Sequence, residues 1–248
     1  MLLGLHHITA LAGDGQANLD HYTRFGGLRL VKRTVNFDDP GTYHFYFGDP
    51  TGAPGTLLTF FPGFRRMPRP GAGQIISAAY NLPEPAAFSA DPDGLDLQFL
   101  QGESLRLHSV TLCENDVEPT ARFLELLGFH RVDVEGNRHR FELPQSPARL
   151  DVLHQPEAER GKLGKGSIHH VAFRVENEAV QLEWRDRLVQ AGVRVSAVKD
   201  RQYFHAIYFR EPGGALFEIA TDGPGFLIDE SAETLGTSLC LPPWLEPT

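Results

Sequence analysis

The feature that most constrains the fold of this chain is an internal repetition. Four short apolar segments of similar shape each open a stretch of sequence: LHHITALAG from Leu5, QIISAAYNL from Gln74, LHSVTLCEN from Leu107 and IHHVAFRVEN from Ile168. Four further strand-like segments close those stretches: PGTLLTFFPG around Thr59, DPDGLDLQFLQG around Gln98, SPARLDVLHQP around Asp151 and EPGGALFEIATDG around Glu218. Repeats of this length are copies of one supersecondary unit, and each copy needs a neighbour to bury its apolar face.

In three of the four units a helical stretch follows the opening strand: ANLDHYTRF, VEPTARFLELLGF and NEAVQLEWRDRLVQAG. Asp116 and Asn177 precede the latter two as N-caps, and Gly128 and Gly192 stop them. Ala121, Leu124 and Leu127 predict the buried face of one helix; Leu182, Leu188 and Val189 predict that of the other. The stretches TYHFYFGD, NRHRFELP and FHAIYFREP are aromatic and branched enough for sheet. The predicted fold class is therefore α+β, built of repeated βαβββ modules whose twisted sheets pair and curl into half-barrels. The modules span residues 1–62, 72–102, 105–156 and 165–222, with a C-terminal extension over 223–248. The second is truncated. Ser77 and Gln98 are only 21 residues apart, against 52 for His7 and Thr59 and 48 for His170 and Glu218.

Setting the units in register gives His7, Ser77, Ser109 and His170 in the opening strands, and Thr59, Gln98, Asp151 and Glu218 in the closing ones. Two imidazoles and a carboxylate on facing strands form the facial set that suits non-haem Fe(II), with up to three positions left open. Any one of these residues alone reads more simply as a hydrogen-bonded strand residue. The pattern does not, because the His-His doublet recurs at one place in two units and Glu218 sits inside the apolar run LFEIA. A buried carboxylate there needs a cation or donors. Alternation puts His7 with Thr9 and Leu11 on one face and His6 on the other, but leaves open which histidine of each doublet binds.

The segments HHITALAGD, VKRTVNFDDPGTYHFYFGD, GSIHHVAFRV, DRQYFHAIYFREPGGALFEIATDGPGF and the LPPWLEP tail resemble the ring-cleaving dioxygenase branch of the glyoxalase/bleomycin-resistance/extradiol-dioxygenase superfamily, and within it the hydroquinone dioxygenases. The likeness is strong at both ends and poor between about Pro62 and Leu105. It implies the vicinal-oxygen-chelate fold, with metal ligands at His7, His170 and Glu218 and further active-site residues at His6, Thr9, His169, Arg201 and Tyr208. For His6 a bend or bulge at the strand start is required. The short second module departs from the family, which leaves its half-barrel incomplete or dependent on a partner and favours a homodimer.

The implied activity is Fe(II)-dependent cleavage of a hydroquinone- or catechol-type aromatic diol by dioxygen. Mn(II) suits the same ligands, and the ligands alone do not exclude Zn(II). Phe60, Phe61, Phe204 and Phe226 are candidates for an apolar pocket. A glyoxalase-type lyase or isomerase is the rival on the same site, weakened because Thr59 stands where a second carboxylate is needed. A metal-free small-molecule binding protein is the other rival, though a pure binder has no need of three aligned ligands. The net charge of −9 argues against nucleic acid and anionic membrane as partners. No apolar run reaches the ~20 residues of a membrane helix. Two cysteines are too few for a disulfide framework, and with no basic leader the expected location is the cytoplasm.

Overall fold

The computed structural model describes residues 1–24, 28–84 and 90–245. Phe25, at the end of the first predicted helical stretch, and the last residues of the LPPWLEP tail lie outside them. The order strand, helix, three strands occurs three times. The first runs β1 (Leu5–Leu11), α1 (Gly15–Thr23), β2 (Arg29–Asn36), β3 (Asp39–Gly48) and β4 (Leu57–Phe61). After a reduced unit of β5 (Gln74–Leu82) and β6 (Leu97–Gln101) comes β7 (Arg106–Glu114), α2 (Val117–Leu126), β8 (His130–Glu135), β9 (Arg138–Glu142) and β10 (Arg149–His154). The last set is β11 (Ile168–Val175), α3 (Glu178–Gln190), β12 (Lys199–Asp200), β13 (Phe204–Arg210) and β14 (Leu216–Pro224).

Two curled sheets result. The larger has the order β12-β13-β14-β11-β1-β4-β3-β2 and joins the first and last units through the antiparallel pair β1/β11. The smaller, β6-β5-β7-β10-β9-β8, joins the middle two through β5/β7. In each unit the closing strand lies parallel to the opening one in a common register. Thr9 faces Thr59, Ala79 faces Gln98, Thr111 faces Asp151 and Ala172 faces Glu218. The closing residue thus always stands opposite the position two beyond its opening partner.

Period-2 alternation divides each strand of the larger sheet between two apolar clusters. Ile8, Phe47, Phe60, Phe173, Phe217 and Ile219 face the helices and the main core. On the other face Tyr46, Ala172, Phe204, Ala206 and Ala220 form a smaller cluster. The alanines there leave the concave side hollow. Phe60 accordingly points into the core against Tyr22 and Phe47, not toward a pocket as expected from sequence.

The helices are capped locally. Asp14, Asp116 and Asn177 accept from the backbone N–H groups of Ala17, Glu118 and Val180. Gly128 and Gly192 take the positive φ angles that end α2 and α3. Ala121, Leu124 and Leu127 are buried as predicted. The face predicted for α3 is right only at Leu188, which is buried; Leu182 and Val189 are exposed, and Gln181 and Trp184 face the core in their place. The reason is polar. The Gln181 amide donates to the carbonyls of His205 and Ile219 on β13 and β14, so hydrogen bonding overrides hydropathy in choosing the face.

At the junction of the two sheets Glu114 and Glu211 are both buried. Glu211 accepts from Thr120 Oγ1 and from the N–H groups of Gly213 and Ala215. Burial, reinforced by Glu211, pushes the Glu114 carboxyl up from its ordinary 4.5 to about 8. Its stabilising proton is present throughout below pH 4.5, and stability falls as pH rises from there toward 8. Glu114→Gln is expected to match the wild type in thermal stability at pH 5 and exceed it at pH 9. Equal melting temperatures at pH 9 would show that the group ionises without penalty.

Candidate metal centre

β1, β11 and β14 are adjacent in the larger sheet, and each presents one donor to its concave side. His7 pairs with Ala172 and His170 with Thr9, so the two imidazoles are diagonal neighbours across β1/β11. Glu218 follows from β14, the parallel neighbour of β11. His7 Nε2 lies 3.3 Å from His170 Nε2. Glu218 Oε2 lies 3.0 Å from His170 Nε2 and 3.5 Å from His7 Nε2. All three residues are buried, and neither oxygen of Glu218 makes a well-aligned hydrogen bond among the described residues. Burial pushes this carboxyl up, but His7 and the close His170 imidazole outweigh it and hold the group well below the usual carboxylate range.

This donor set fits a metal ion. Ligand bonds of ~2.1 Å at tetrahedral or octahedral angles put donors about 3.0–3.4 Å apart, close to the 3.0, 3.3 and 3.5 Å found. A metal ion there would supply the charge and the bonds that this buried carboxylate, poorly aligned on two imidazoles, lacks. A second cluster, Asp229, Glu230 and Cys240, is different. The Lys32 amine already stands in it, paired with Asp229 and Glu230.

Both doublets fold in the same way. His6 Nδ1 lies 2.9 Å from His7 Nδ1, and His169 Nδ1 lies 2.8 Å from His170 Nδ1. The β1/β11 register slips between Leu5 and His7, which supplies the irregularity that His6 requires. Burial and the neighbouring imidazole push His6 and His169 each down to about 3, so both stay neutral. A neutral imidazole at Nδ1 orients the adjacent ring with its Nε2 turned toward the centre. The same motif survives without metal donors in the smaller sheet, where His108 Nδ1 meets Ser109 Oγ at 3.1 Å.

In front of the three donors is a cavity of about 300 Å³, whose walls include His44, Phe61, His169, Arg201, Phe204 and Tyr208. Arg201 Nε–H donates to the Tyr208 hydroxyl at 3.1 Å, and the guanidinium lies 5.1 Å from that ring. Burial, followed by the Glu218 charge, raises the Tyr208 phenol well above its ordinary value, so it holds its proton. His6 does not line the cavity; it packs behind His7 against Phe204. Thr9 is also set back. It reaches the cavity through Thr59 and then His44: the Thr59 hydroxyl lies 2.7 Å from Thr9 Oγ1 and 2.9 Å from His44 Nε2. Of the candidate phenylalanines, Phe61 and Phe204 line the cavity, while Phe226 packs behind it on Tyr203 and Tyr46.

Sequence reading missed His44, Tyr46, Asp38 and Lys199, which also line the cavity. A signal existed for the first two. His44 and Tyr46 alternate with Phe45 and Phe47 in β3, and a polar edge at every second position of an otherwise apolar strand marks a face turned to a site.

A doubled sheet carrying a His/His/Glu centre on the concave side of one half defines a metal-binding class of paired βαβββ proteins. Residues 106–219 match the model of the Glyoxalase/Bleomycin resistance protein/Dioxygenase superfamily. The chain is 38% identical to "Putative ring-cleaving dioxygenase MhqO" of Bacillus subtilis (strain 168), covering 99% of this chain and 93% of that one. It is 31% identical to the "Chlorohydroquinone/hydroquinone 1,2-dioxygenase" of Sphingobium indicum, over 98% and 92% of the two chains. A solved structure titled as a putative dioxygenase from Bacillus subtilis superposes with a TM-score of 0.91 at 38% identity, covering 99% of this chain and 94% of that one. The chain belongs to this superfamily, among relatives named as ring-cleaving dioxygenases. The MhqO alignment runs over 289 residues, longer than the whole 248-residue chain, so that relative carries residues with no counterpart here.

Proposed function

We propose that His7, His170 and Glu218 hold one Fe(II) and that the protein cleaves the ring of a hydroquinone- or catechol-type diol with dioxygen. The observation that carries this reading is the convergence of two Nε2 atoms and one carboxylate oxygen, 3.0–3.5 Å apart, at the floor of a cavity with aromatic walls. When bound, the iron supplies the one-electron chemistry that couples dioxygen to an aromatic diolate. Mn(II) accepts the same donors; Zn(II) also fits them but lacks that redox chemistry.

The remaining steps belong to side chains. Phe61 and Phe204 give the substrate ring apolar surfaces and exclude water. His169, at the cavity wall beside His170, can orient a substrate oxygen. Tyr208, held protonated, can donate to an oxygen that gains charge during the reaction. Arg201, whose charge is permanent, steadies negative charge nearby and fixes the Tyr208 oxygen. His6 and Thr9 act at one remove, His6 by orienting His7 and Thr9 by holding Thr59.

The test is anaerobic purification, measurement of bound metal, and oxygen uptake with hydroquinone and with catechol. About one iron per chain and one oxygen consumed per ring opened are expected. Stoichiometric iron with no uptake on any diol would sink the dioxygenase reading and leave the metal site standing.

A further inference from the structure

The cavity mouth lies between two banks that are distant in sequence. One is the turn between β2 and β3, carrying Asn36, Phe37 and Asp38; the other carries Ser196, Lys199 and Arg201. A single carboxylate joins them. Asp38 Oδ2 accepts from Arg201 Nη at 2.5 Å, and Asp38 Oδ1 lies 3.3 Å from Lys199 Nζ. The Asp38 side chain is half exposed, whereas that of Arg201 is 13% exposed. The guanidinium is therefore a nearly buried cation whose only ion-pair partner among the described residues is one carboxylate at the rim.

That carboxylate fixes which way the guanidinium faces. With Nη drawn to Asp38, Nε–H points at the Tyr208 hydroxyl and donates to it. The phenolic oxygen is then occupied as an acceptor. Its one proton has to be given elsewhere, and Tyr208 borders the cavity beside the His170 ring, 5.9 Å away between centroids. The neighbouring backbone is shaped to hold this arrangement. Gln202 takes a φ of 61°, rare for a residue with a side chain, and Asp200 Oδ1 caps its N–H at 2.7 Å. The Phe37 ring is braced edge-on by Trp244 at 5.5 Å.

We propose that Asp38 is a positioning residue for ring cleavage: through Arg201 it holds the Tyr208 hydroxyl with its proton turned toward the substrate. This rests on the function proposed above. Asp38 stands at the cavity rim and acts through Arg201, so its loss is expected to fall on the chemical step more than on binding.

The experiment compares Asp38→Asn, Asp38→Glu, Tyr208→Phe and the Asp38→Asn/Tyr208→Phe double variant. Oxygen uptake is followed with hydroquinone, and binding of 4-nitrocatechol to the iron-loaded protein is followed without oxygen. Asp38→Asn is expected to lower kcat roughly tenfold, a part of the 10²–10⁴ that a positioned proton donor contributes. Its affinity for 4-nitrocatechol should stay within about threefold, and Asp38→Glu should recover most of kcat. In the Tyr208→Phe background Asp38→Asn should change kcat less than about twofold, because a residue acting through Tyr208 has nothing left to position. High salt should lower wild-type kcat toward that of Asp38→Asn and leave the variant unmoved, since a half-exposed pair is screened. Folding is not at issue for a substitution in an exposed turn, and melting temperatures within about 2 °C of each other confirm it. Wild-type kcat in Asp38→Asn, or an equal loss in both backgrounds, overturns the proposal alone. A wild type that neither binds 4-nitrocatechol nor consumes oxygen overturns the proposed function and this inference with it.

Discussion

Replacing His170 with Ala is expected to strip the metal from the protein and to lower ring cleavage on the order of a thousandfold or more. The metal's contribution to charge stabilisation is several kcal/mol, and each 1.4 kcal/mol is a factor of ten in rate. His170 cannot be spared, because its Nε2 is the donor closest to Glu218, 3.0 Å from Oε2. Without it, His7 and a fully buried carboxylate remain, and two donors do not define the facial set. The readouts are metal content and melting temperature with and without a chelator. A ligand that binds only the folded state at a hundred times its Kd adds about 2.7 kcal/mol of stability. The chelator should therefore destabilise the wild type and leave His170→Ala unchanged. Stoichiometric metal in the variant would refute the ligand assignment. If the wild type takes up no oxygen and both forms bind aromatic ligands equally, the protein is a binder and not an enzyme.

Lys32→Met is expected to have the largest effect on stability, in a network that includes none of the three candidate metal donors. Lys32 is fully buried on β2, with Asp229 Oδ1 at 2.5 Å, Glu230 closer still, and the Tyr203 ring 4.9 Å from its ammonium. Removing one partner of a buried ion pair costs about 3–5 kcal/mol, because the charge left behind is desolvated and alone. Asp229 is a quarter exposed, which puts the expected loss toward the lower end. The damage should also spread locally. The C-terminal segment runs along the outer edge of β2, where the Arg29 guanidinium donates to the carbonyls of Ala232, Glu233 and Leu235, and Cys240 N–H donates to the Arg33 carbonyl. It covers an edge strand that would otherwise offer unpaired backbone groups. Asp229 also accepts from the Tyr203 hydroxyl, which ties the same network to the loop bearing Arg201. Urea unfolding of Lys32→Met, and of the same variant with Asp229→Asn and Glu230→Gln, separates the causes. The triple variant should recover much of the loss, since it no longer leaves carboxylates unpaired. A single variant within about 0.5 kcal/mol of wild type would show that the network adds little net stability.

The candidate donors were legible because repetition supplies an internal alignment. Once the units are in register, His7 and His170 fall at one opening-strand position and Glu218 at the closing-strand position of the last unit. The helix caps were legible for a similar reason, since Asp116 and Asn177 act within three residues of themselves. The buried face of α3 was not. Hydropathy favoured Leu182 and Val189, but the carbonyls that capture Gln181 belong to strands more than twenty residues away. His6 and Thr9, which the family resemblance implies as active-site residues, stand one layer behind the cavity.

What the sequence determined by itself was therefore local and periodic: the repeated unit, its strand faces and the candidate donors those faces carry, though not which histidine of each doublet turns to the centre. What only the tertiary structure decided was everything that depends on two separate segments meeting. The turn at Asp38 reaches Arg201 across 163 residues, and Lys32 reaches Asp229 across 197. Strand periodicity fixes where a side chain points but not what another strand brings to meet it. That is set by how tightly the sheets curl, which is a property of the assembled fold.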